Sequence, residues 1–312
     1  MIGVTKTVSV VILVYFNAES LPILFDEITA IEKELLQRGV VLELIFVNDG
    51  SGDNSLQELL KIKGRRPATK IISLSRNFGG IAAWKTGLKY VTGDAFVLLS
   101  ADLQDPPDQI LAMADEWLAG NKFVICTRAS RKDPLSTRVL AALYYRVVRW
   151  MIAADYPRGG FDLMLMDKIM LPYMASANKH TNPSLYAYWL GFRPVILPYN
   201  RRERRHGRSR WTFAKKLKLF IDTISGFSVV PIRLLSLFGI IVALASFLYG
   251  ARLVVLTLMG HVEVRGFATL AVLISFFSGL ILVMLGVIGE YLWRVFDAVN
   301  NKPESVIDET YL

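Results

Sequence analysis

The stretch Ser100–Pro107, SADLQDPP, follows directly on the apolar run Ala95–Leu99, AFVLL, and its reading decides the fold class. A short apolar run that ends in clustered carboxylates reads as a buried strand delivering oxygen ligands to its C-terminal end. In open α/β sheets that edge is where ligands bind. Asp102, Gln104 and Asp105 offer hard oxygen donors of the kind Mg²⁺ or Mn²⁺ takes, with positions left over for substrate phosphates. Pro106 and Pro107 then stop the strand and suit the first turn of a helix. An acidic loop of this kind also serves as a plain helix cap, so its meaning rests on its neighbours.

Those neighbours repeat the pattern. Further strand-like runs are Val8–Tyr15, Val41–Val47, Ile71–Leu74 and Phe123–Cys126, and helix-like stretches lie between them at Ser20–Gln37, Ser55–Lys63, Gly80–Tyr90 and Asp108–Ala119. The alternation predicts an α/β domain over 1–211, Rossmann-like, with a mostly parallel sheet covered on both faces. The apolar Val8–Phe16 run lacks a small-residue cleavage site and reads as the first strand, not as a secretory signal. Cys126 is the one cysteine, which excludes an internal disulfide framework and suits a cytoplasmic body.

The hydrophobic share, 53%, is concentrated towards the C-terminus. Leu234–Gly260 carries one charge, Arg252, and Gly266–Gly289 carries none. Each reaches the roughly 20 residues needed to cross about 30 Å of hydrocarbon as a helix. Separated only by the loop HVEVR, they predict a two-helix transmembrane hairpin, with spans at 234–259 and 266–289 inside a segment 231–295 and a cytoplasmic tail over 296–312. Arg201–Phe220 holds nine Lys or Arg against one Glu, so it carries nearly all of the net charge of +9. A basic block before the first span, with Arg294 and Lys302 beyond the second, places both flanks on the cytoplasmic side of an inner membrane. Over 212–230, Lys215, Lys216 and Lys218 alternate with Phe213, Leu217, Leu219, Phe220 and Ile221, which predicts an amphipathic helix at the bilayer surface. A span so close by excludes nucleic acid as the partner of the basic run.

The loops after the first four strands read VYFNAES, VNDGSGD, LSRNFGG and SADLQDPP, in that order. Together they resemble the family-2 glycosyltransferases with a GT-A nucleotide-sugar-binding fold. The later runs RRERRHGRSRW and FSVVPIRLLSLFG narrow the resemblance to polyprenyl-phosphate glycosyltransferases, the dolichol-phosphate mannose synthases and bacterial undecaprenyl-phosphate glucosyltransferases. It covers essentially the whole chain.

The resemblance implies roles residue by residue. Tyr15 packs near the nucleotide base and Glu19 hydrogen-bonds it, although the family's proline is missing from this loop. Asp49 lies near the base or ribose, where relatives have two aspartates and this chain has Asn48-Asp49; Asp53 caps a helix. Arg76 and Asn77 shape the nucleotide pocket. The family's Asp-Ala-Asp motif appears as Ser100-Ala101-Asp102, which leaves Asp102 as the leading ligand of a divalent metal (Mg²⁺ or Mn²⁺) and Gln104 as the second. Arg128 contacts phosphate, and Arg131 and Arg138 follow it, read equally as surface arginines. Asp162, in GGFDLMLMDK, corresponds to the family's acceptor-side carboxylate and is catalytic with Asp102, orienting the sugar or acceptor without being an obligatory base. Arg201, Arg205, Ser209 and Arg210 belong to an arginine-rich loop that binds phosphates in relatives, with Trp211 suited to a membrane interface.

The implied activity is inverting transfer of a hexose from a nucleotide sugar, UDP-glucose, to undecaprenyl phosphate. The product serves a flippase and a second transferase in surface-glycan modification, and the oligomer implied is a tetramer. Transfer of another sugar (mannose, an aminoarabinose derivative or an N-acetylhexosamine) stays open. So does a non-catalytic membrane scaffold, for which Asn48 and Ser100 in place of carboxylates speak.

Overall fold

The structure, a computed structural model, describes residues 5–129, 135–178, 181–203, 213–259, 266–300 and 302–312. The chain divides into two units, Met1–Gly226 with Pro303–Leu312, and Phe227–Lys302.

The first unit alternates strand and helix as the apolar runs require: β1 (Lys6–Val14), α1 (Leu21–Gln37), β2 (Val40–Asn48), α2 (Ser55–Arg65), β3 (Lys70–Leu74), α3 (Gly80–Leu88), β4 (Ala95–Ser100), α4 (Gln109–Leu118) and β5 (Phe123–Arg128). Beyond these lie α5 (Leu135–Met151), β6 (Leu163–Asp167), α6 (Leu171–Ser176), α7 (Pro183–Trp189), β7 (Val195–Tyr199), α8 (Phe213–Phe227) and, at the far end of the chain, β8 (Ile307–Tyr311). The strands form one sheet in the order β7-β5-β6-β4-β1-β2-β3-β8. Pairing is parallel between β4, β1, β2 and β3 and between β5 and β7; β6 runs antiparallel to β4 and β5, and β8 antiparallel to β3.

Both faces of the sheet are covered. Val10, Ile12 and Val14 of β1 join Leu24 and Ile28 of α1 and Met113 and Trp117 of α4 in a continuous core. On the other face Gly87 of α3 lies so close to Val11 and Val47 that any side chain there collides with both. Trp84, Phe46, Phe96 and Phe123 are fully buried, and truncating one of them to alanine costs about 3–5 kcal/mol.

Sheet order fixes where chemistry can gather. β1 is flanked by β4 and β2, with Leu13 opposite Ser100 and Val14 opposite Asn48, so the loops after these three strands leave at one edge. β6 enters from that edge, because Cys126 pairs with Leu163 beside the C-terminal end of β5, and Arg128 pairs with Tyr199 of β7. This is the switch-point geometry at which open α/β sheets bind ligands.

The segment 302–312, read from sequence only as a tail, supplies β8. Ser75 N–H donates to the Val306 carbonyl at 3.0 Å, Glu304 pairs with buried Lys85 of α3 at 2.6 Å, and Ser305 and Thr86 share a hydroxyl hydrogen bond of 2.6 Å. The strand covers an edge of β3 that is otherwise an open template for pairing.

The second unit holds α9 (Val230–Leu258) and α10 (Phe267–Val299). Val230–Leu258 and Phe276–Val299 are long and apolar enough to cross a membrane, with mean hydropathy of 2.2 and 1.8. Helix α10 continues past the apolar run that ends at Gly289, carried on by the Glu290–Arg294 pair at 2.8 Å, and Tyr291 donates to the Ser228 carbonyl at 3.0 Å.

Candidate active site

The loops after β1, β2 and β3 build one flank of the edge. Asn17 organises the first of them: its Oδ1 accepts from Tyr15 N–H at 2.8 Å, and its own N–H donates to Ser55 Oγ at 2.9 Å. Phe16 adopts a left-handed backbone, φ 56°, the kind of strain that a non-glycine residue holds only where its surroundings fix it. The Tyr15 ring stands edge-on to Phe16 at 4.8 Å, and Glu19 is exposed. Asp53 accepts from Ser55 N–H and Ala18 N–H, at 3.2 and 3.3 Å, tying the start of α2 to the β1 loop.

Asp49 is buried and holds the next loop. Its Oδ1 accepts from Phe78 N–H at 2.7 Å, and its Oδ2 accepts from Gly79 N–H at 3.0 Å and Asn77 Nδ2 at 2.9 Å. Gly50 takes φ 62°, and a Cβ there runs into the Arg76–Asn77 backbone, so the approach of the two loops depends on glycine. Burial raises the Asp49 pKa and outweighs the two backbone N–H bonds that act against it. Asn48 donates to Ser73 Oγ at 3.1 Å, and Arg76 lies over the Phe78 ring at 4.1 Å.

At the end of β4, Ala101 N–H continues the ladder to the Leu13 carbonyl at 3.1 Å, and Ser20 Oγ donates to the Ala101 carbonyl at 2.6 Å. Ser100 and Asp102 are half-buried. Leu103 adopts φ 60°, and Gln104 N–H closes a turn onto Asp102 Oδ1 at 3.2 Å.

The opposite flank is a cluster of ion pairs brought together from four strands. Arg128 forks onto Asp162, Nε to Oδ2 at 2.6 Å and Nη2 to Oδ1 at 2.9 Å. Buried Tyr199 points its one hydroxyl proton at two carboxylates, Asp105 Oδ1 at 2.7 Å and Asp162 Oδ2 at 3.0 Å. Arg201 lies 3.2 Å from Asp105 and 3.9 Å from Asp162, and its Nη2 donates to Gln104 Oε1 at 3.3 Å. Burial works against the Asp162 charge, yet the Arg128 fork, Arg201 and Tyr199 together hold its carboxyl below the usual range. Burial raises the Asp105 pKa, Asp162 and Asp102 add to the rise, and Arg201 and Tyr199 offset only part of it.

A model of the family described as glycosyl transferase family 2 matches residues 9–178, more than half of the chain, from within β1 to just beyond α6. The chain belongs to glycosyl transferase family 2. It is similar to the uncharacterized glycosyltransferase YkcC of Bacillus subtilis, 37% identical over 86% of this chain and 84% of that one. It is also similar to the prophage-derived bactoprenol glucosyl transferase of Shigella flexneri, 29% identical over 97% of this chain and 98% of that one. Among solved structures, glucosyl-3-phosphoglycerate synthase of Mycobacterium tuberculosis, crystallised with Mg²⁺ and UDP, superposes with a TM-score of 0.52 at 15% identity, covering 70% of this chain and 78% of the other. That likeness is one of fold, and the fold is the GT-A arrangement expected from the sequence.

In this family 2 chain, Tyr15, Asp49, Asn77, Ser100, Ala101, Asp102, Gln104, Arg128, Asp162 and Arg201 all stand on loops or strand ends at one sheet edge. Glu19 and Arg76 are exposed members of the same loops, whereas Arg138 is exposed on α5. Arg205, Ser209 and Arg210, with Arg131 and Trp211, lie outside the described residues. Sequence reasoning passed over Asn17 and Tyr199, and it took Asp105 only as an oxygen donor. Tyr199 carries no motif and is found only through the pairing of β7 with β5.

Among the described residues, no group of three or more His, Cys, Asp or Glu is placed to hold a metal ion. The donors that are present still fit a cation such as Mg²⁺, which retains several waters and binds through one or two carboxylates plus substrate phosphates. Asp102 and Gln104 share one turn, and Asp105 is near enough for the Asp102 charge to raise its pKa.

Proposed function

We propose that this chain transfers a hexose from a nucleotide sugar, UDP-glucose, to the phosphate of a polyprenyl lipid, undecaprenyl phosphate, with inversion at the anomeric carbon. The observation that carries the reading is similarity over nearly the full length, apolar helices included, to a bactoprenol glucosyl transferase. The edge geometry supports it, because it gathers loops tied together by Asp49 on one flank and arginine–carboxylate pairs on the other.

In the reaction, a lipid-phosphate oxygen forms a bond to the anomeric carbon. The bond from that carbon to the nucleotide's β-phosphate oxygen breaks, and the electron pair leaves with the nucleoside diphosphate. A phosphate monoester has a second pKa of about 6, so the attacking oxygen needs no base at neutral pH. Asp162 accordingly serves as a fixed carboxylate that orients Arg128 and the sugar hydroxyls. Arg128 and Arg201, with Arg138, Arg205, Ser209 and Arg210, are assigned to phosphates, for which bidentate guanidinium groups suit. Tyr15, Glu19, Arg76 and Asn77 are assigned to the nucleotide, with Asp49 shaping their loop. Asp102 and Gln104 would hold a divalent cation, which when bound offsets the charge that builds on the departing diphosphate.

The two apolar helices are assigned to the cytoplasmic membrane, with the catalytic unit on the cytoplasmic side, so that acceptor and enzyme share one surface and encounter is pre-organised. A flippase and a second transferase consume the product on this reading, and the chain self-associates, as a tetramer.

The test is transfer by full-length protein in detergent to undecaprenyl phosphate, across a panel of nucleotide sugars, with Mg²⁺, Mn²⁺ or chelator. UDP-glucose is expected to give a glycolipid that is lost with chelator and in Asp102→Ala. Folded protein that neither binds nucleotide nor forms product from any donor establishes the scaffold reading instead.

A further inference from the structure

The stretch Glu304–Val306, just ahead of β8, makes bonds that closing a sheet edge does not require. Lys85 of α3 is 7% exposed, and a lysine is almost never so deeply covered without a partner. Its ammonium donates to the Ala177 carbonyl and reaches the Glu304 carboxylate at 2.6 Å. One residue further on in each segment, Thr86 and Ser305 share a hydroxyl hydrogen bond of 2.6 Å. The Val306 carbonyl then accepts from Ser75 N–H at 3.0 Å. Three consecutive residues therefore hold Ser75, where the chain leaves β3, and Lys85 with Thr86 on the helix that follows. Between these two anchors lies Arg76–Gly79, the loop that Asp49 grips through Asn77, Phe78 and Gly79.

The pairing of β8 with β3 points the same way. Ser73 lies opposite Glu309 and Leu74 opposite Ile307, so the register shifts and Asp308 has no counterpart on β3. The shift falls where β3 gives way to the loop, and such irregularities are over-represented next to active sites, where they re-aim a strand. Ser73 is also the acceptor for Asn48, the chain neighbour of Asp49. An edge cover needs ladder hydrogen bonds alone. An ion pair with a buried member adds little net stability over an apolar pair, and its best-attested use is to fix one arrangement against others.

We propose that Lys85 and Glu304 are positioning residues for the nucleotide. Their pair, together with Ser305 and Val306, sets the Arg76–Gly79 loop in the form that receives the donor, and neither side chain acts on the reacting atoms. The proposal rests on the assignment of Arg76 and Asn77 to the nucleotide.

The experiment compares full-length protein in detergent with its Glu304→Gln and Glu304→Asp variants, at a temperature well below the melting of all three. Binding of UDP is measured by calorimetry, KM is measured separately for nucleotide sugar and lipid, and backbone amide exchange is followed by mass spectrometry. Glu304→Gln is expected to weaken UDP binding about tenfold, the loss of one modest interaction, and to raise the KM for the nucleotide sugar in step. The KM for lipid and kcat should stay at wild-type values. Amide exchange should quicken over residues 76–80 and remain unchanged over α1. Glu304→Asp keeps the charge and should recover part of the affinity. Should Glu304→Gln fail to fold, Ser305→Ala removes only the bond to Thr86 and is expected to give a smaller loss of the same kind. Unchanged UDP affinity in the variants overturns the proposal and leaves β8 an edge cover. Losses spread equally over nucleotide, lipid and the exchange of α1 overturn it as well, since they report general destabilisation. Wild-type protein that is folded yet binds none of a panel of nucleoside diphosphates overturns the nucleotide reading of the loop and this proposal together.

Discussion

Asp49 and Asp162 are carboxylates at the same sheet edge, yet their surroundings drive their pKa values in opposite directions. Among the described residues Asp49 meets only neutral donors, two backbone N–H groups and an amide from one neighbouring loop, and burial prevails. Asp162 is half-buried but faces two guanidinium groups and a phenol, and its charge is secured. The contrast separates two kinds of site-building. A loop held by neutral hydrogen bonds is a fixed mould, because no arriving ligand replaces those bonds. An arginine–carboxylate fork is exchangeable, because a phosphate offers the guanidinium the same bidentate geometry.

The sharpest way to break the contrast is Arg128→Ala. It leaves Asp162 and Asp105 with Arg201 as their remaining close cation among the described residues, and removing one partner of a largely desolvated pair costs up to about 3 kcal/mol of stability. If Arg128 also meets phosphate, transfer falls by about 100-fold or more, the usual effect of removing a donor aimed at developing charge. Arg128→Lys keeps the charge without the fork and should recover part of the melting temperature but little of the rate. A rate that recovers in step with stability would show Arg128 to be a structural ion pair only.

On the other flank, Asp49→Ala strips the acceptor from the Phe78 and Gly79 N–H groups and from Asn77, at a cost of about 2 kcal/mol. The loss should appear as a raised KM for the nucleotide sugar with kcat and the KM for lipid little changed, since the mould and not the reacting groups is damaged. Equal effects on both substrates would erase the distinction between the flanks.

The same contrast explains what could be read in the sequence. The strands β1 to β5 are largely apolar runs between turn residues, and the motifs after the first four of them are contiguous, so the loops that build the Asp49 flank were legible as a set, while the roles of their residues rest on resemblance. The arginine–carboxylate flank is assembled by topology. Asp162 precedes β6, a strand of five residues hidden inside a motif, and Tyr199 ends β7, where Pro198 obscures a strand that tolerates it at the sheet edge. No spacing in the chain announces that Tyr199 meets Asp105, which lies 94 residues away. β8 escaped for a related reason: IDETY is polar and largely exposed along its length, so it lacks the alternation that marks a half-buried strand.

Tyr199→Phe probes the cluster most gently, because it removes one oxygen from a buried position without changing the net charge. The two carboxylates it touches have opposite linkage signs. Asp162, with its pKa lowered, contributes stability that is present above the ordinary carboxylate pKa and is lost as pH falls through its own lower value. Asp105, with its pKa raised, favours the fold fully below the ordinary value and loses that contribution as pH rises through its raised one. As pH falls, Asp105 is the first of the two to become neutral. A hydrogen bond to a charged group is worth about 1 kcal/mol more than one between neutral groups, so the variant's loss of stability should shrink by about that much as pH falls from neutral and Asp105 takes up its proton. Melting temperatures of both proteins across this range, in one detergent, provide the measurement. A penalty independent of pH would mean that the tyrosine serves Asp162 alone, and Asp105 would then be held by Arg201 without help from β7.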